Sequence, residues 1–320
     1  MKKFKLFFMI FLSAGVMLTA CSDDDDDEPT PTNNNNNNSG DPSIAEIVIN
    51  SNDHDSLEKA VLRFPDLAAT LSGSGSFTVF APTNAAFAAL GSAVADIDST
   101  ALRNILLYHV IGAEVRSTSL ADYTYANTLS QGPNMELLSL KADVTGGATI
   151  NNTANITTVD LDASNGVVHV VDEVLTQQSI VDFATKDDRF DSLVVALTAY
   201  PSFTFVGTLS GSGPFTVFAP TNTAFVNLLS DLGATRVSDI PETTLAAVLS
   251  YHVVNGANVQ SDELSQGQNI TTLGGTLTVD LTNGAQLMTS DTSQAAVDII
   301  ITDVQGTNGV IHAVDEVLLP

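Results

Sequence analysis

Apolar and polar positions along the chain predict a strand followed by a helix, and this unit occurs twice. Residues 72–90 read SGSGSFTVFAPTNAAFAAL, and residues 210–228 read SGSGPFTVFAPTNTAFVNL. The FTVF segment has the alternation and composition of a half-buried strand. Pro82 cannot donate a backbone hydrogen bond, so we expect the first strand to end there.

A helix cap follows the proline. Thr83 or Asn84 can cap a helix whose apolar face begins at Phe87 and Leu90. The second copy carries the same proline, threonine and asparagine at Pro220, Thr221 and Asn222. We therefore expect this repeated unit to organise the packing of each of two domains.

Further elements recur in the same order around each unit. Apolar residues at helical spacing precede it, and they are Leu57, Ala60, Val61 and Phe64 in the first copy and Leu193, Ala196, Leu197 and Tyr200 in the second. A later helix ends in a tyrosine–histidine pair, which is Tyr108 with His109 in the first copy and Tyr251 with His252 in the second. Residues 115–163 and 259–306 are rich in threonine, asparagine, glycine and β-branched residues, which predicts successive short antiparallel strands.

Each copy closes with a turn and a strand. Residues 165–175 read NGVVHVVDEVL, and residues 308–318 read NGVIHAVDEVL. Asparagine followed by glycine favours a hairpin turn in which both residues can take a positive φ.

The closing strands raise the question of a catalytic dyad. His169 and Asp172, like His312 and Asp315, are three positions apart, so on a strand they should face opposite sides. A base and its partner must lie within hydrogen-bond reach, and we therefore expect structural roles for these residues. The sequence also has no HxxxH or HExxH spacing, Gly-rich phosphate loop or GxSxG motif. We expect no catalytic residues, no metal and no cofactor.

Three segments occur in the same order in both copies: the FTVFAPTN segment, the tyrosine–histidine pair and the NGVxHxVDEVL closing strand. Together they resemble the fasciclin (FAS1, beta-Ig-H3) domain family. The resemblance covers nearly all of residues 44–320 and implies one domain over residues 44–178 and a second over residues 179–320. It implies an α+β fold of two tandem FAS1 domains, each a wedge-shaped β-sandwich of about seven strands with packed helices. It further implies extracellular adhesion or protein binding rather than catalysis. The short join at residues 177–179 predicts a tandem of limited mobility.

The same resemblance supplies a candidate contact site. In animal FAS1 proteins, the region around the tyrosine–histidine pair has been linked to integrin binding. By this resemblance, Tyr108, His109, Tyr251 and His252 are candidate interaction residues, and packing in the core is the alternative.

The N-terminal segment predicts export and a lipid anchor. Residues 1–20 carry three lysines among the first five positions and continue with an apolar stretch that is too short to span a bilayer comfortably, as in a signal peptide. They end in Leu18-Thr19-Ala20-Cys21, which resembles a bacterial lipobox, so Cys21 would be the lipidated first residue of the mature chain.

Residues 21–43 predict a disordered tether. They hold five consecutive aspartates and six consecutive asparagines, and they lack the apolar residues that a core requires. A flexible coil of this length spans about 25 Å, which would separate a domain from the lipid headgroups. An acidic run after the cysteine resembles the surface-export signal of Bacteroidetes lipoproteins. We expect a surface-exposed outer-membrane lipoprotein, and a periplasmic orientation is the alternative.

Charge restricts the partners. The formal net charge is −26, and the loss of three lysines with residues 1–20 would make it −29. Such a charge disfavours nucleic acid and anionic membranes. The negative charge either keeps the protein surface soluble or attracts cations or a basic partner.

Together these features predict a lipid-anchored, non-catalytic adhesion or protein-interaction module of the cell surface. Its partner would be a protein, an extracellular matrix component or a polysaccharide. The first alternative is an envelope protein that binds a small ligand or glycan through the FAS1 wedges, and the second is an enzyme.

Overall fold

The computed structural model describes residues 40–91 and 96–320. Residues 40–320 form one compact unit, which contains both predicted domains. The expected signal peptide, the lipidation site at Cys21 and most of the tether lie outside the described residues. Within residues 40–91 and 96–320, no helix has the length and apolar character needed to cross a bilayer.

Five helices are described in the first domain. They are α1 (Ile44–Ile49), α2 (Asp55–Val61), α3 (Pro65–Ser72), α4 (Asn84–Ala89) and α5 (Ser99–Tyr108). Ser43 caps α1 in a capping box with Glu46, and the two side chains satisfy each other's backbone N–H groups. Pro65 is the first residue of α3. Proline is tolerated at this position because the backbone N–H that it lacks would have no hydrogen-bond partner in the first turn.

Seven strands form the sheet of the first domain. They are β1 (Phe77–Pro82), β2 (Val110–Ile111), β3 (Thr124–Gln131), β4 (Leu137–Asp143), β5 (Thr149–Ile150), β6 (Ala154–Ala163) and β7 (Gly166–Val171). Neighbours in sequence pair in antiparallel fashion, and β1 pairs in parallel with β7, so the seven strands close into a barrel. Pro82 is the last residue of β1 and lies opposite Val171.

The second domain repeats this architecture. Its helices are α6 (Ile180–Lys186), α7 (Asp191–Leu197), α8 (Phe205–Leu209), α9 (Asn222–Asp231) and α10 (Glu242–Tyr251). Its strands are β8 (Phe215–Pro220), β9 (Val253–Asn255), β10 (Asn269–Thr271), β11 (Thr276–Asp280), β12 (Gln286–Met288), β13 (Val297–Gly306) and β14 (Gly309–Val314). They form one sheet in the order β10-β11-β12-β13-β14-β8-β9, with β8 parallel to β14 and Pro220 opposite Val314. The expected α+β fold with seven strands and packed helices in each domain is confirmed.

The expected hairpin turn is present between β6 and β7, but its residues are not Asn165 and Gly166. Ala163 pairs with Gly166, so the turn consists of Ser164 and Asn165, and Asn165 does not have a positive φ. Its side chain instead accepts from the N–H of Ile44 at 2.9 Å, which joins the start of α1 to the sheet. Gly166 has a φ of +143°, and a Cβ atom there would lie 1.9 Å from a backbone oxygen of β1. The glycine is therefore required by the parallel strand beside it.

Each domain has two apolar clusters on opposite faces of its first strand. In the first domain, Val79 faces a cluster that includes Leu57 and Leu102 from the helices. Phe80 points the other way, into a cluster that includes Leu140 and Val171. The expectation of a half-buried strand was wrong, because β1 is covered on both faces and its sequence is a nearly continuous apolar run.

Candidate functional site

The repeated unit places a threonine and an asparagine at the start of α4. The Thr83 hydroxyl accepts from the N–H of Ala86 at 3.2 Å, so the threonine is the helix cap. The Asn84 side chain extends to the N-terminal helices instead. It accepts from the N–H of Ser56 at 2.8 Å and donates to the carbonyl of Asn52 at 2.9 Å. The asparagine thereby joins α4 to α2.

The second domain repeats these contacts. Thr221 accepts from the N–H of Ala224 at 3.4 Å, and Asn222 accepts from the N–H of Ser192 at 2.8 Å. The Asn222 amide also donates to the carbonyl of Asp188 at 2.6 Å. The repeated threonine and asparagine therefore have structural partners within their own domain.

The tyrosine–histidine pair of the first domain lies in the core. The Tyr108 hydroxyl donates to the carbonyl of Ser139 at 2.7 Å, and the tyrosine has no exposed surface. His109 follows α5 as its C-cap, and its Nδ1 donates to the carbonyl of Ile105 at 2.7 Å. Its Nε2 accepts from the N–H of Leu175 at 2.9 Å. Both ring nitrogens are thus bonded inside the domain.

The pair in the second domain makes the equivalent bonds. Tyr251 donates to the carbonyl of Thr276 at 2.7 Å, and His252 bonds to the carbonyl of Val248 and the N–H of Leu318 at 2.8 and 2.9 Å. The imidazole must stay neutral to accept from an N–H group, and burial lowers the pKa of each of the two histidines to about 4.

These positions correct the expected contact site. Tyr108, His109, Tyr251 and His252 are each at most 2% exposed, and the polar groups at the ends of their side chains are bonded to the backbone. A protein partner could not contact these polar groups on the surface of the folded domain. The packing alternative is the one that the structure supports.

His169 and Asp172 face different partners, as the strand geometry predicts. His169 Nε2 donates to the carbonyl of Val115 at 2.9 Å, and its Nδ1 accepts from the N–H of Asp160 at 3.2 Å. Asp172 accepts from the N–H of Asn155 at 2.7 Å. The histidine and the aspartate make no hydrogen bond to each other and form no dyad.

A serine, a histidine and an aspartate do meet in the first domain, and no sequence pattern predicted this contact. Asp160 lies at an irregularity of β6 with a φ of 55° and accepts from both the N–H and the hydroxyl of Ser117. The hydroxyl of Ser117 donates to the carboxylate and not to His169, so the serine and the imidazole do not form the contact of a catalytic triad. The group holds the segment before β3 against β6.

The equivalent group in the second domain consists of Asp303, Ser261 and His312. His312 Nδ1 accepts from the N–H of Asp303 at 3.2 Å, and Ser261 donates to the Asp303 carboxylate. Burial lowers the pKa of His312, which favours the neutral ring. Asp315 lies elsewhere and accepts from the N–H of Asp298 at 2.8 Å.

A polar network connects the two domains. Tyr125 of β3 donates to the Asp187 carboxylate at 2.5 Å, and Arg189 donates to the same oxygen at 2.6 Å. Asp187 has no exposed surface. Burial acts to raise its pKa, but the hydrogen bonds from Arg189 and Tyr125 outweigh this effect and hold the pKa below its usual range. The Arg189 guanidinium also lies 4.6 Å from the ring centroid of Tyr123.

The hairpin of β3 and β4 extends this contact along β13 of the second domain. The Ser139 hydroxyl accepts from the N–H of Gln305 at 2.9 Å. At the end of β3, a Cβ atom on Gly132 would lie 3.1 Å from the carbonyl oxygen of Gly306, so the two backbones are in close contact there. We call these contacts, together with the Tyr125–Asp187–Arg189 network, the domain junction.

One buried lysine completes the domain junction. Lys141 is 1% exposed, and its Nζ donates to Asn152 at 3.1 Å and to the carbonyl of Lys186 at 3.2 Å. The Asp143 carboxylate lies 3.6 Å from the same nitrogen. A buried ammonium of this kind needs such partners to offset its loss of water. The domain junction thus combines charge, hydrogen bonds and backbone contact, and it couples the two domains.

The described part of the chain holds no group of three or more histidine, cysteine, aspartate or glutamate side chains placed to bind a metal ion. Its acidic groups are spread over the surface, and many accept from neighbouring hydroxyl and N–H groups. Asp122, for example, accepts from Thr145, and Asp280 accepts from Thr282.

Comparison with known proteins identifies the family. The fasciclin domain model matches residues 54–177 and again residues 188–320. The chain is 30% identical over 264 residues to transforming growth factor-beta-induced protein ig-h3 of Sus scrofa, which covers 81% of this chain and 37% of that protein. It is 38% identical over 141 residues to the uncharacterized protein sll1735 of Synechocystis sp., which covers 44% of this chain and 97% of that protein. The chain thus spans little more than a third of ig-h3.

Among solved structures, the chain is similar to a FAS1 domain pair from the insect cell adhesion molecule fasciclin I. The TM-score is 0.50 at 16% sequence identity, and the match covers 82% of this chain and 98% of that one. This likeness concerns the fold and includes both domains. With a family match to each half of the described chain, the protein belongs to the fasciclin domain family.

Proposed function

We propose that this protein is a lipid-anchored, non-catalytic adhesion or protein-interaction module displayed on the outer surface of a bacterial outer membrane. The observation that carries the proposal is the coupling of two fasciclin domains through the domain junction. The insect cell adhesion molecule has a FAS1 pair of similar fold, so a coupled pair is a reasonable unit for adhesion. A coupled pair presents its two surfaces in one orientation, which lowers the entropy cost of a contact that involves both domains.

The internal bonding of the repeated polar residues supports a non-catalytic role. The histidines of the Tyr-His pairs and the closing strands use both ring nitrogens for bonds within their own domain. The serine in each Ser-His-Asp group donates to the carboxylate and not to the imidazole, so neither group has the serine–histidine contact of a catalytic triad. A hydrolase mechanism would need a different set of residues.

Charge favours a partner with a basic surface. The net charge of −26 gives long-range attraction for such a protein or matrix component, and added salt should weaken this attraction. The same negative charge disfavours nucleic acid as a partner.

Anchoring rests on the N-terminal sequence. A lipobox ending at Cys21, followed by an acidic tether, supports a lipid anchor and export to the outer face. The membrane would then be contacted through the lipid alone, and the domains would be free to meet a partner.

Protease treatment of intact cells tests the location. We expect digestion of the anchored protein without lysis, while a periplasmic marker stays protected. The Cys21→Ala variant should leave the membrane fraction. Protection of the wild-type protein until lysis would overturn the surface location. Attachment of a deletion strain to cells or matrix would then be compared with attachment of the complemented strain, and equal attachment would overturn the adhesive role.

A further inference from the structure

An apolar cavity of about 200 Å³ lies among the N-terminal helices of the first domain. It is bounded by α1, α2 and α3, and Val79 of β1 and Leu106 of α5 also line it. Its lining is almost entirely aliphatic. His109 reaches the lining, but both of its ring nitrogens are already bonded. The cavity therefore offers contacts to an apolar group and few to a polar one.

The second domain has a smaller cavity of about 120 Å³ at the corresponding place, bounded by α6, α7 and α8. Voids destabilise a core, because the side chains around them lose packing contacts. The recurrence of the cavity shows that it belongs to the domain architecture. The two cavities can be compared residue by residue, because α1 and α2 correspond to α6 and α7 at a spacing of 136 positions.

The mouths of the two cavities differ in chemistry. In the first domain, Ile49 and Leu62 line the cavity and are 51% and 57% exposed. Their counterparts in the second domain are Thr185 and Thr198, whose hydroxyls donate to carbonyls of their own helices at 2.9 Å. Single exposed apolar residues are ordinary, but here two of them line the same cavity. Only the first cavity therefore continues onto an apolar surface.

The volume of the first cavity and the charge of Glu58 restrict the class of ligand that it can bind. An engineered protein cavity of about 150 Å³ binds benzene, so the first cavity can hold a hydrocarbon group of somewhat larger size. The apolar mouth extends this site, which suits a chain that enters the cavity and continues across Ile49 and Leu62. Glu58 also lines the cavity, and its carboxylate disfavours an anionic head group near the mouth.

We propose that the first-domain cavity binds the alkyl end of a neutral single-chain amphiphile. The rest of the alkyl chain lies across Ile49 and Leu62. The second-domain cavity, with its smaller volume and threonine mouth, does not retain the same ligand. This assignment does not depend on the proposed function.

Titration of the full chain with 1-octanol, followed by calorimetry and by methyl NMR shifts, tests the site. We expect one saturable site per chain, with shifts confined to residues around the first cavity. The double substitution Ile49→Thr with Leu62→Thr should weaken binding about tenfold. The second domain folds with threonine at both positions, so this variant should keep its fold. Val195→Thr is the matched control, because Val195 is 54% exposed and lies outside the lining of both cavities, and its affinity should be unchanged.

Two further variants test the interior and the charge. Ala68 is half-buried and lines the first cavity. Ala68→Leu should fill the cavity and abolish saturable binding of 1-octanol. Octanoate should bind more weakly than 1-octanol, and Glu58→Gln should reduce that difference.

Absence of saturable binding, or binding unchanged by both Ala68→Leu and the double substitution, would overturn the proposal. Binding of 1-octanol only after Cys21→Ser would mean that the chain's own lipid occupies the cavity. Conversion of a dimer to a monomer by the double substitution would mean that a second copy covers the mouth. Either result would overturn the assignment of a free amphiphile.

Discussion

Tyr125 in the first domain and Asp187 in the second are 62 positions apart, and the tyrosine hydroxyl donates to the carboxylate across the domain junction at 2.5 Å. The carboxylate is fully buried and shares this oxygen with Arg189. A hydrogen bond to a buried charged group is worth more than one between neutral groups, since the charge has no water to replace a lost donor. This contact should therefore influence how strongly the two domains unfold together.

Tyr125→Phe removes the donor and keeps the ring that packs against Phe183. We expect a loss of about 1–3 kcal/mol in the free energy of unfolding. Calorimetry should show the unfolding transitions of the two domains move apart, and small-angle scattering should show a wider distribution of distances between them.

Tyr200→Phe is the control for this substitution. Tyr200 donates to the carbonyl of Ile240 at 2.7 Å within the second domain, so its loss should destabilise that domain without separating the domains. If Tyr125→Phe and Tyr200→Phe gave the same single transition, the Tyr125–Asp187 bond would not couple the domains.

The buried histidines make stability depend on pH. His109 and His252 have a pKa of about 4 in the folded protein, because burial disfavours the charged ring. The ordinary value of 6.5 applies when the chain unfolds. Between these values the unfolded state binds more protons, so stability falls as the pH is lowered from 6.5 towards 4. The loss amounts to about 3 kcal/mol for each histidine.

Urea unfolding at pH 7 and at pH 4.5 measures this effect. Partial relief of repulsion among the many carboxylates works in the opposite direction, so the histidine contribution should be isolated with His252→Gln. This variant should lose less stability on acidification than the wild type. Ring proton shifts of the folded protein report the pKa directly, and titration of either histidine near pH 6.5 would contradict the prediction.

Substitutions at two glycines can separate the energetic cost of a steric clash from the cost of an unfavourable backbone conformation. Gly166 and Gly147 have φ values of +143° and +128°, but only Gly166 has neighbouring atoms where a Cβ would lie. Gly166→Ala should cost about 3–5 kcal/mol, because it adds a clash with β1 to an unfavourable backbone conformation. Gly147→Ala should cost about 1 kcal/mol from the conformation alone. Equal shifts of the urea midpoint would show that the parallel strand can move aside.

Local chemistry explains which parts of this fold could be predicted. A helix cap at Thr83 or Asn84 and a succession of short antiparallel strands could be predicted from short segments that repeat with little change, whereas the number of strands was implied only by the family resemblance. The pairing of β1 with β7 could not be predicted from pattern, because it joins residues about ninety positions apart in a parallel arrangement. Apolar residues on both faces of a strand indicate burial but do not identify the neighbouring strand.

The site residues show the same limit. The i,i+3 spacing of His169 and Asp172 correctly predicted that they do not meet, since the side chains of a strand alternate. The meeting of His169 with Asp160 depends on an irregularity in β6, and no short-range signal marks it. Burial of the Tyr-His pairs was one of two open alternatives, because an amphipathic helix end can face either way. The contacts of Tyr125 with Asp187 required the arrangement of the two domains, which no pattern within one domain contains.

His54 offers a substitution that should increase stability. It is 5% exposed, and its Nε2 makes no hydrogen bond of good geometry, while Nδ1 lies 2.8 Å from the hydroxyl of Ser51. Burial also lowers its pKa, so the ring gains nothing from charge. The corresponding residue of the second domain is Phe190, which is 1% exposed and precedes its helix with a similar backbone conformation.

His54→Phe should raise the free energy of unfolding of the first domain by about 1 kcal/mol, because it replaces a buried polar atom that makes no hydrogen bond of good geometry by an apolar edge. The half-buried hydroxyl of Ser51 can bond to water when it loses the histidine. Phe190→His is the reciprocal change and should destabilise the second domain by about 2–4 kcal/mol, since it introduces a polar ring into a filled apolar cluster. Urea unfolding of both variants measures the two effects. A loss of stability in His54→Phe would mean that the first domain uses the imidazole in a way that its sister domain does not require.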